Sequence, residues 1–345
     1  MKPNKILVVA IVFCILVPIY FFLNFKEINN IVIEDDYVYL DSLTLRQKIA
    51  QMIIVRGDNA DFKFTNLNIG GVFFDQQSSK EAYKKLIGSF NKKSRIKLFV
   101  ATDMEGAWGP FFENFYLSPP FSEVQTNEEA FSIGIEHAQL LNESGFNLNF
   151  APVAEYTDES YGGRVFLGTD EEVEEKLRNY LKGLNEEIFG VCKHYPGRGM
   201  IKNLHDEIDK QYISEKDLEL FEVCYEEGIF GIMVGHQIVK GELDSNGKPS
   251  SVSKEVISTI PNEVLVISDE VNMFGLKDFY PNKKDMYVEL INSGEDIILD
   301  FELTPTSAYR LILDLEREVN FGNINEENID ESVRKILLAK GYELK

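Results

Sequence analysis

Several ionisable residues stand at the ends of short apolar runs: Asp103, Glu155, the pair Lys193-His194, His236 and Asp269. Three of the four histidines, His194, His205 and His236, fall in this set or in the loops that continue from it. A carboxylate accepts hydrogen bonds from hydroxyl pairs, and a cationic group donates to their neighbours. A rigidly held carboxylate can also attack carbon, and an imidazole can give or take the proton of a leaving group. Each residue alone means little, because strand ends are also where solvent begins. Their concentration points to one site for a polar substrate.

The elements that must position these side chains are a repeat of strand and helix. Short runs rich in β-branched or aromatic residues occur at 52–55, 71–74, 98–102, 148–153, 190–194, 231–234, 264–268 and 296–299. Amphipathic helices separate them. Thr169 with Glu172 reads as a capping box ahead of Val173, Leu177, Tyr180, Leu181 and Leu184 at helical spacing. Ser214 with Asp217 opens a second helix carrying Leu218, Phe221, Cys224 and Tyr225. A last helix carries Val333, Ile336 and Leu337 and stops at Gly341. Near-continuous apolar strands alternating with helices predict a parallel sheet covered by helices. Length and strand count favour a closed α/β barrel of the (β/α)8, or TIM, type, in which chemistry sits at the C-terminal ends of the strands.

Composition narrows the function classes. The chain has 35 basic and 57 acidic residues, a formal net charge of −22. That balance opposes binding to a nucleic-acid backbone. The three cysteines, Cys14, Cys192 and Cys224, predict no disulfide framework, and their spacing fits no zinc motif. No metal and no cofactor is expected. Residues 6–25 form an uncharged apolar run behind Lys2 and Lys5. Twenty residues of helix span about 30 Å, the hydrocarbon thickness of a bilayer. A cleavable leader would have a shorter core and a small-residue exit. Basic residues before the run and Glu34, Asp35 and Asp36 after it place the N-terminus inside and the body outside the cytoplasm. The expected organisation is a transmembrane anchor at 1–25, a polar tether at 26–40, and one monomeric barrel domain at 41–345.

Ordered blocks along this body carry a resemblance. Residues 193–199, KHYPGRG, resemble the KHFPGHG block of glycoside hydrolase family 3, in particular its single-domain bacterial β-N-acetylglucosaminidases. Residues 43–55, LTLRQKIAQMIIV, are similar to that family's opening strand, and Asp103-Met104-Glu105-Gly106 to its DxEGG stretch. Residues 149–153, NFAPV, match in full, and Arg164-Val165-Phe166 looks like the RSF turn. PSSVSKEVI at 249–257, ISDEVNM at 267–273 and IDESVRKIL at 329–337 continue the pattern. The resemblance implies a retaining glycosidase with a covalent glycosyl-enzyme intermediate. Asp269 matches the nucleophile. Asp103, Arg164, Lys193 and His194 match residues that hold the terminal sugar. Glu155 stands where the family has Asp, and its role is open. His236 reads as a packing residue.

The resemblance weakens in the loop after the fifth strand. Family members carry Asp-Ser-His there, the His protonating the leaving oxygen. This chain reads Met200-Ile201-Lys202-Asn203-Leu204-His205-Asp206. Deleting one residue overlays Asn203-Leu204-His205 on the triplet, making His205 the acid/base with Asn203 or Asp206 as partner; aligned without a gap, Asp206 takes the place of the His. An amide orients an imidazole but does not stabilise its cation. Arg198 replaces the second His of the block, and Trp108 and Phe111 stand where two arginines are expected, giving a more aromatic mouth. The expected activity is that of an exo-acting β-N-acetylhexosaminidase on amino-sugar oligosaccharides of peptidoglycan or chitin type, membrane-anchored through residues 6–25. The alternative is a glycan-binding barrel whose acid/base pair has been lost.

Overall fold

The computed structural model describes residues 31–111, 116–157, 162–197 and 210–345. Its centre is a closed barrel of eight parallel strands: β1 (Ile53–Arg56), β2 (Gly71–Phe73), β3 (Phe99–Thr102), β4 (Leu148–Asn149), β5 (Phe189–Tyr195), β6 (Gly231–Val234), β7 (Leu265–Glu270) and β8 (Ile297–Asp300). Each strand pairs with its neighbours in chain order, and β8 returns to β1. Side chains fill the interior and helices cover the outside, so β2, β3, β6 and β8 are buried along their whole length. All eight expected runs become strands. β4 is shorter than its run because Pro152 has no N–H for the ladder, and only Val153 bridges onward, to Lys193.

The helices that face the barrel are α1 (Leu45–Gln51), α2 (Lys80–Lys93), α3 (Asn127–Ser144), α4 (Asp170–Leu184), α5 (Glu215–Glu226), α6 (Lys254–Ile257), α7 (Phe274–Lys277), α8 (Lys283–Ser293), α9 (Pro305–Asn320) and α10 (Glu326–Ala339). The capping boxes read from sequence form at α4 and α5, and Thr44-Gln47, Thr126-Glu129 and Thr304-Ser307 make three more. These boxes satisfy orphan N–H groups at the point where each loop re-enters a helix. The five apolar positions expected on α4 are all buried. α3 and α4 approach closely because each has a glycine at the crossing. A Cβ on Gly134 would stand 2.3 Å from the Tyr180 carbonyl oxygen, and one on Gly183 2.4 Å from that of Phe131.

Three features differ from expectation or extend it. Cys192 on β5 and Cys224 on α5 form a disulfide, with Cα atoms 6.7 Å apart. The expectation that the cysteines make no such scaffold is corrected. The pairing is set by tertiary packing of a strand against a distant helix, which no short spacing motif encodes. Within the segment read as a tether, Ile33–Glu34 and Tyr37–Val38 form strands, and the second pairs with Glu343–Leu344 at the chain's far end. Val38 and Ile31 are buried there. The expected anchor at 6–25 lies outside the described residues. Among the described residues no helix is long and apolar enough to cross a membrane.

Candidate active site

The C-terminal ends of the strands open into a cleft of about 580 Å³. Its floor is aromatic: Phe73 from β2 stacks on Phe301, just past β8, with centroids 4.6 Å apart, and on Phe150 at 6.1 Å. Above that floor stand five of the six site residues expected from sequence. Asp103, Arg164, Lys193, His194 and Asp269 all line this one cleft.

Lys193 is the hub. Its ammonium donates to Asp103 Oδ1 at 2.7 Å and forms a second, shorter ion pair with Glu105. Arg164 Nη1 donates to the other oxygen of Glu105 at 2.8 Å. The chain reaches this arrangement by local means. Glu105 N–H closes a turn onto the Trp108 carbonyl at 2.7 Å, and Gly106 takes φ +69°, with the Phe121 ring where a side chain would be. Gly163 accepts from Phe121 N–H, so the Arg164 loop is tied to the loop after β3. Glu105 is 1% and Lys193 4% exposed. Burial raises a carboxylate pKa, but Lys193 and Arg164 outweigh it at Glu105 and hold that group below its usual range. Burial also opposes the Lys193 charge; Asp103 and Glu105 outweigh it and hold the ammonium above its usual value. Asp103 is pushed up to about 6 by burial, with Lys193 pulling the other way.

Asp269 is the penultimate residue of β7. Its Oδ1 accepts from the Glu270 N–H at 2.7 Å, and its Oδ2 lies 4.0 Å from His194 Nε2. Burial pushes His194 down to about 4, against the attraction of Asp269, with Lys193 and Arg164 adding to the fall. The imidazole is therefore neutral at neutral pH, and Asp269 faces a hydrogen-bonding ring rather than a cation. The Lys193–His194 peptide bond is cis. Ser268 Oγ accepts from Leu299 N–H at 3.1 Å and ties the strand end that carries Asp269 to β8.

A second network, not read from the sequence, locks the same two strand ends. Glu270 accepts from the N–H groups of Asn272 at 3.0 Å and Phe301 at 3.1 Å, and from the Asn272 amide. Asn272 also donates to Asp300, which receives Lys283 at 2.8 Å and Tyr287 at 3.1 Å. Glu105 had a signal in the Asp103-Met104-Glu105-Gly106 block, which assigned it no role. The partners of Glu270, Asn272 and Phe301, come from the loops after β7 and β8, and those of Asp300 from α8; none had a signal. Arg56, at the end of β1, also lines the cleft and was not expected there.

His205, with Asn203, Asp206 and Arg198, lies outside the described residues. Glu155 is buried and does not line the cleft. His236 is fully buried, with one ring nitrogen on Ser251 Oγ at 2.7 Å and the other on the Glu270 carbonyl at 3.1 Å, the packing role read from sequence. The aromatic mouth is half right. Trp108 lines the cleft and is 57% exposed, but Phe111 is buried edge-on against Tyr83 at 5.5 Å and belongs to the core.

A parallel eight-stranded barrel whose cleft balances buried cations against carboxylates defines an α/β-barrel protein built to hold a hydroxyl-rich ligand. The chain belongs to glycoside hydrolase family 3: residues 44–339 match the description "Glycosyl hydrolase family 3 N terminal domain". Solved structures agree on the fold. LpqI of M. tuberculosis superposes with a TM-score of 0.77 at 22% identity, over 88% of this chain and 95% of that one. A glycoside hydrolase family 3 beta-N-acetylglucosaminidase from Paenibacillus sp. gives 0.78 at 21% identity, over 87% and 62%. Beta-N-acetylhexosaminidase from Beutenbergia cavernae gives 0.68 at 21%, over 87% and 99%. No curated protein sequence matches the chain.

Proposed function

We propose that this chain is a retaining, exo-acting β-N-acetylhexosaminidase with Asp269 as nucleophile and His205 as acid/base. The observation that carries the reading is the setting of Asp269. It stands at the C-terminal end of β7, one residue before the last, with one oxygen fixed by a backbone N–H and the other facing neutral His194, beside the Asp103–Lys193–Glu105–Arg164 group. Asp103 accepts from one sugar hydroxyl while Lys193, Arg164 and His194 donate to others, which holds the anomeric carbon over Asp269. Asp269 attacks that carbon as protonated His205 gives its proton to the leaving oxygen. Water then displaces the carboxylate, and neutral His205 takes its proton.

The body, a single barrel domain, works outside the cytoplasm and is anchored to the membrane by residues 6–25. A disulfide in the core supports an oxidising compartment. Asp269→Ala is expected to lower turnover by several orders of magnitude with little change in melting temperature. A fluorosugar that traps the intermediate is expected to add its mass to the peptide holding Asp269. Activity within about tenfold of wild type sinks the assignment. The altered sequence at 199–206 favours a second reading, a glycan-binding barrel with a lost acid/base. Natural substrates separate the two, because their leaving groups need a proton: an enzyme with a working acid hydrolyses them, whereas a barrel with a lost acid/base binds them intact and is glycosylated at most by activated aryl glycosides.

A further inference from the structure

The cleft has two halves of different character. At the inner end, Lys193 and Arg164 are matched by Asp103 and Glu105 and are largely out of water. The mouth, formed by the loops after β1, β2, β3 and β8, is open. Its Arg56 side chain, 39% exposed, lies over the Phe301 ring at 5.3 Å and faces Asp75 at 3.6 Å and Asp58 at 4.0 Å. Glu302 lines the same side and reaches Lys277 at 3.5 Å, both exposed. Trp108 stands free at the rim, and its loop is held beside the β2 loop by Gln76 donating to the Gly109 carbonyl at 3.4 Å.

Resting on the exo-glycosidase reading, the geometry points to a function for this mouth. A terminal sugar seated over Asp269 fills the inner half, so the rest of the substrate leaves through the open half. We propose that the mouth is a leaving-group subsite for an uncharged sugar, and that it selects against a sugar bearing a carboxylate. Trp108 offers an exposed flat apolar face to the C–H side of a pyranose. Arg56 and Asp75 offer a donor and an acceptor side by side, which suits neighbouring hydroxyls. Among the described residues Arg56 is the cation lining this half, while Asp75 and Glu302 line it and Asp58 stands beside Arg56. Among the described residues an added carboxylate would meet more negative than positive charge there, even with Lys277 beside Glu302, on a chain that is already strongly acidic. Chitin-type leaving sugars fit this mouth, and acidic muramyl-type ones do not.

The test is binding, read by calorimetry on the full-length chain carrying Asp269→Ala, so that substrates stay intact. The ligands are N-acetylglucosamine and two disaccharides that share it as the terminal sugar, one with a neutral and one with a carboxylate-bearing second sugar. The neutral disaccharide is expected to bind at least about tenfold tighter than the acidic one at low salt, the gap narrowing as salt rises. Adding Asp75→Asn and Glu302→Gln is expected to cut the gap below about threefold, and Trp108→Ala to weaken the neutral disaccharide by about fivefold or more. Equal affinities, or tighter binding of the acidic disaccharide, overturn the selectivity. A neutral disaccharide that binds no tighter than the monosaccharide overturns the subsite alone. If none of the three sugars binds, the glycosidase reading falls and this inference with it.

Discussion

The same cleft holds two basic residues in opposite circumstances. Lys193 is buried, bonded to two carboxylates and positioned by backbone turns that close around it. Arg56 is half in water, at distances of 3.6 and 4.0 Å from its acidic neighbours, which are ion pairs without a formed hydrogen bond. The inner group resembles a core, where each charge is tolerable only because its partner is present. The outer group behaves as surface, free to exchange protein contacts for a ligand at small cost. The difference teaches where specificity and chemistry part on the proposed reading, in which the inner end fixes one ring and the mouth meets the sugar beyond it.

The largest expected effect that tests this contrast is Lys193→Met. It strands Asp103 and Glu105 together out of water, and losing one partner of a buried charge group costs about 3–5 kcal/mol. Melting should fall by many degrees, and kcat/KM should drop by orders of magnitude. Normal stability with only a raised KM would mean the inner group is as loose as the mouth.

Next in size is the pH profile. Ionised Asp103 pairs with Lys193 and accepts from a hydroxyl more strongly than its neutral form, and burial places its pKa at about 6. Activity should therefore fall as pH drops through that value, while the residual activity of Asp103→Asn should lack the acidic limb. Because the folded value lies above the usual carboxylate value, ionising Asp103 costs folded-state stability as pH rises toward 6. Asp103→Asn should thus melt no lower than wild type above that pH. If His205 is the acid, a second limb falls as pH rises through about 6.5. An activity flat between pH 5 and 7, about the range these groups span, would remove both assignments.

The legibility of the sequence divides along the same line. The strands announced themselves because each is buried on both faces, and Asp103, Lys193, His194 and Asp269 emerged from standing at strand ends. Arg164 required the resemblance, since its loop has no periodicity. Phe111 was misplaced because an aromatic in a loop looks the same whether it faces the cleft or Tyr83. Cys192 and Cys224, and Glu270 with its partner Phe301 just past β8, depend on elements brought together only by barrel closure. Ile33 to Val38 looked like a linker because their partner, Glu343–Leu344, is at the other end of the chain.

That last pairing sharpens the boundary of the barrel. A fragment starting at Asp41 loses buried Val38 and Ile31 and the strand that Glu343–Leu344 pairs with, whereas one starting at Ile31 keeps them. Fully burying one aliphatic side chain contributes about 1.5–3 kcal/mol. The shorter fragment should melt several degrees lower, and equal melting would make residues 31–40 a true tether.

The smallest effect is expected at Arg56, and it closes the comparison with Lys193. Arg56→Met removes one positive charge from the same cleft and keeps the apolar stem that covers Phe301. Its partners are solvated without it: Asp75 is half exposed, and Asp58 keeps hydrogen bonds from Asp75 N–H at 3.1 Å and from Gln77 at 2.9 Å. Exposed ion pairs of this kind contribute about 0–1 kcal/mol. Burial already raises the Asp58 pKa, with Arg56 among the groups that pull it down, so losing Arg56 raises it further. The variant's stability deficit should therefore be small and confined to the pH range above that pKa, where Asp58 is ionised, and should vanish in acid. Thermal melts of both proteins at pH 4 and 8, about either side of a raised carboxylate pKa, measure it. A loss at Arg56 comparable to that at Lys193 would show that the mouth is as rigidly built as the inner pocket, and the division between them would fail.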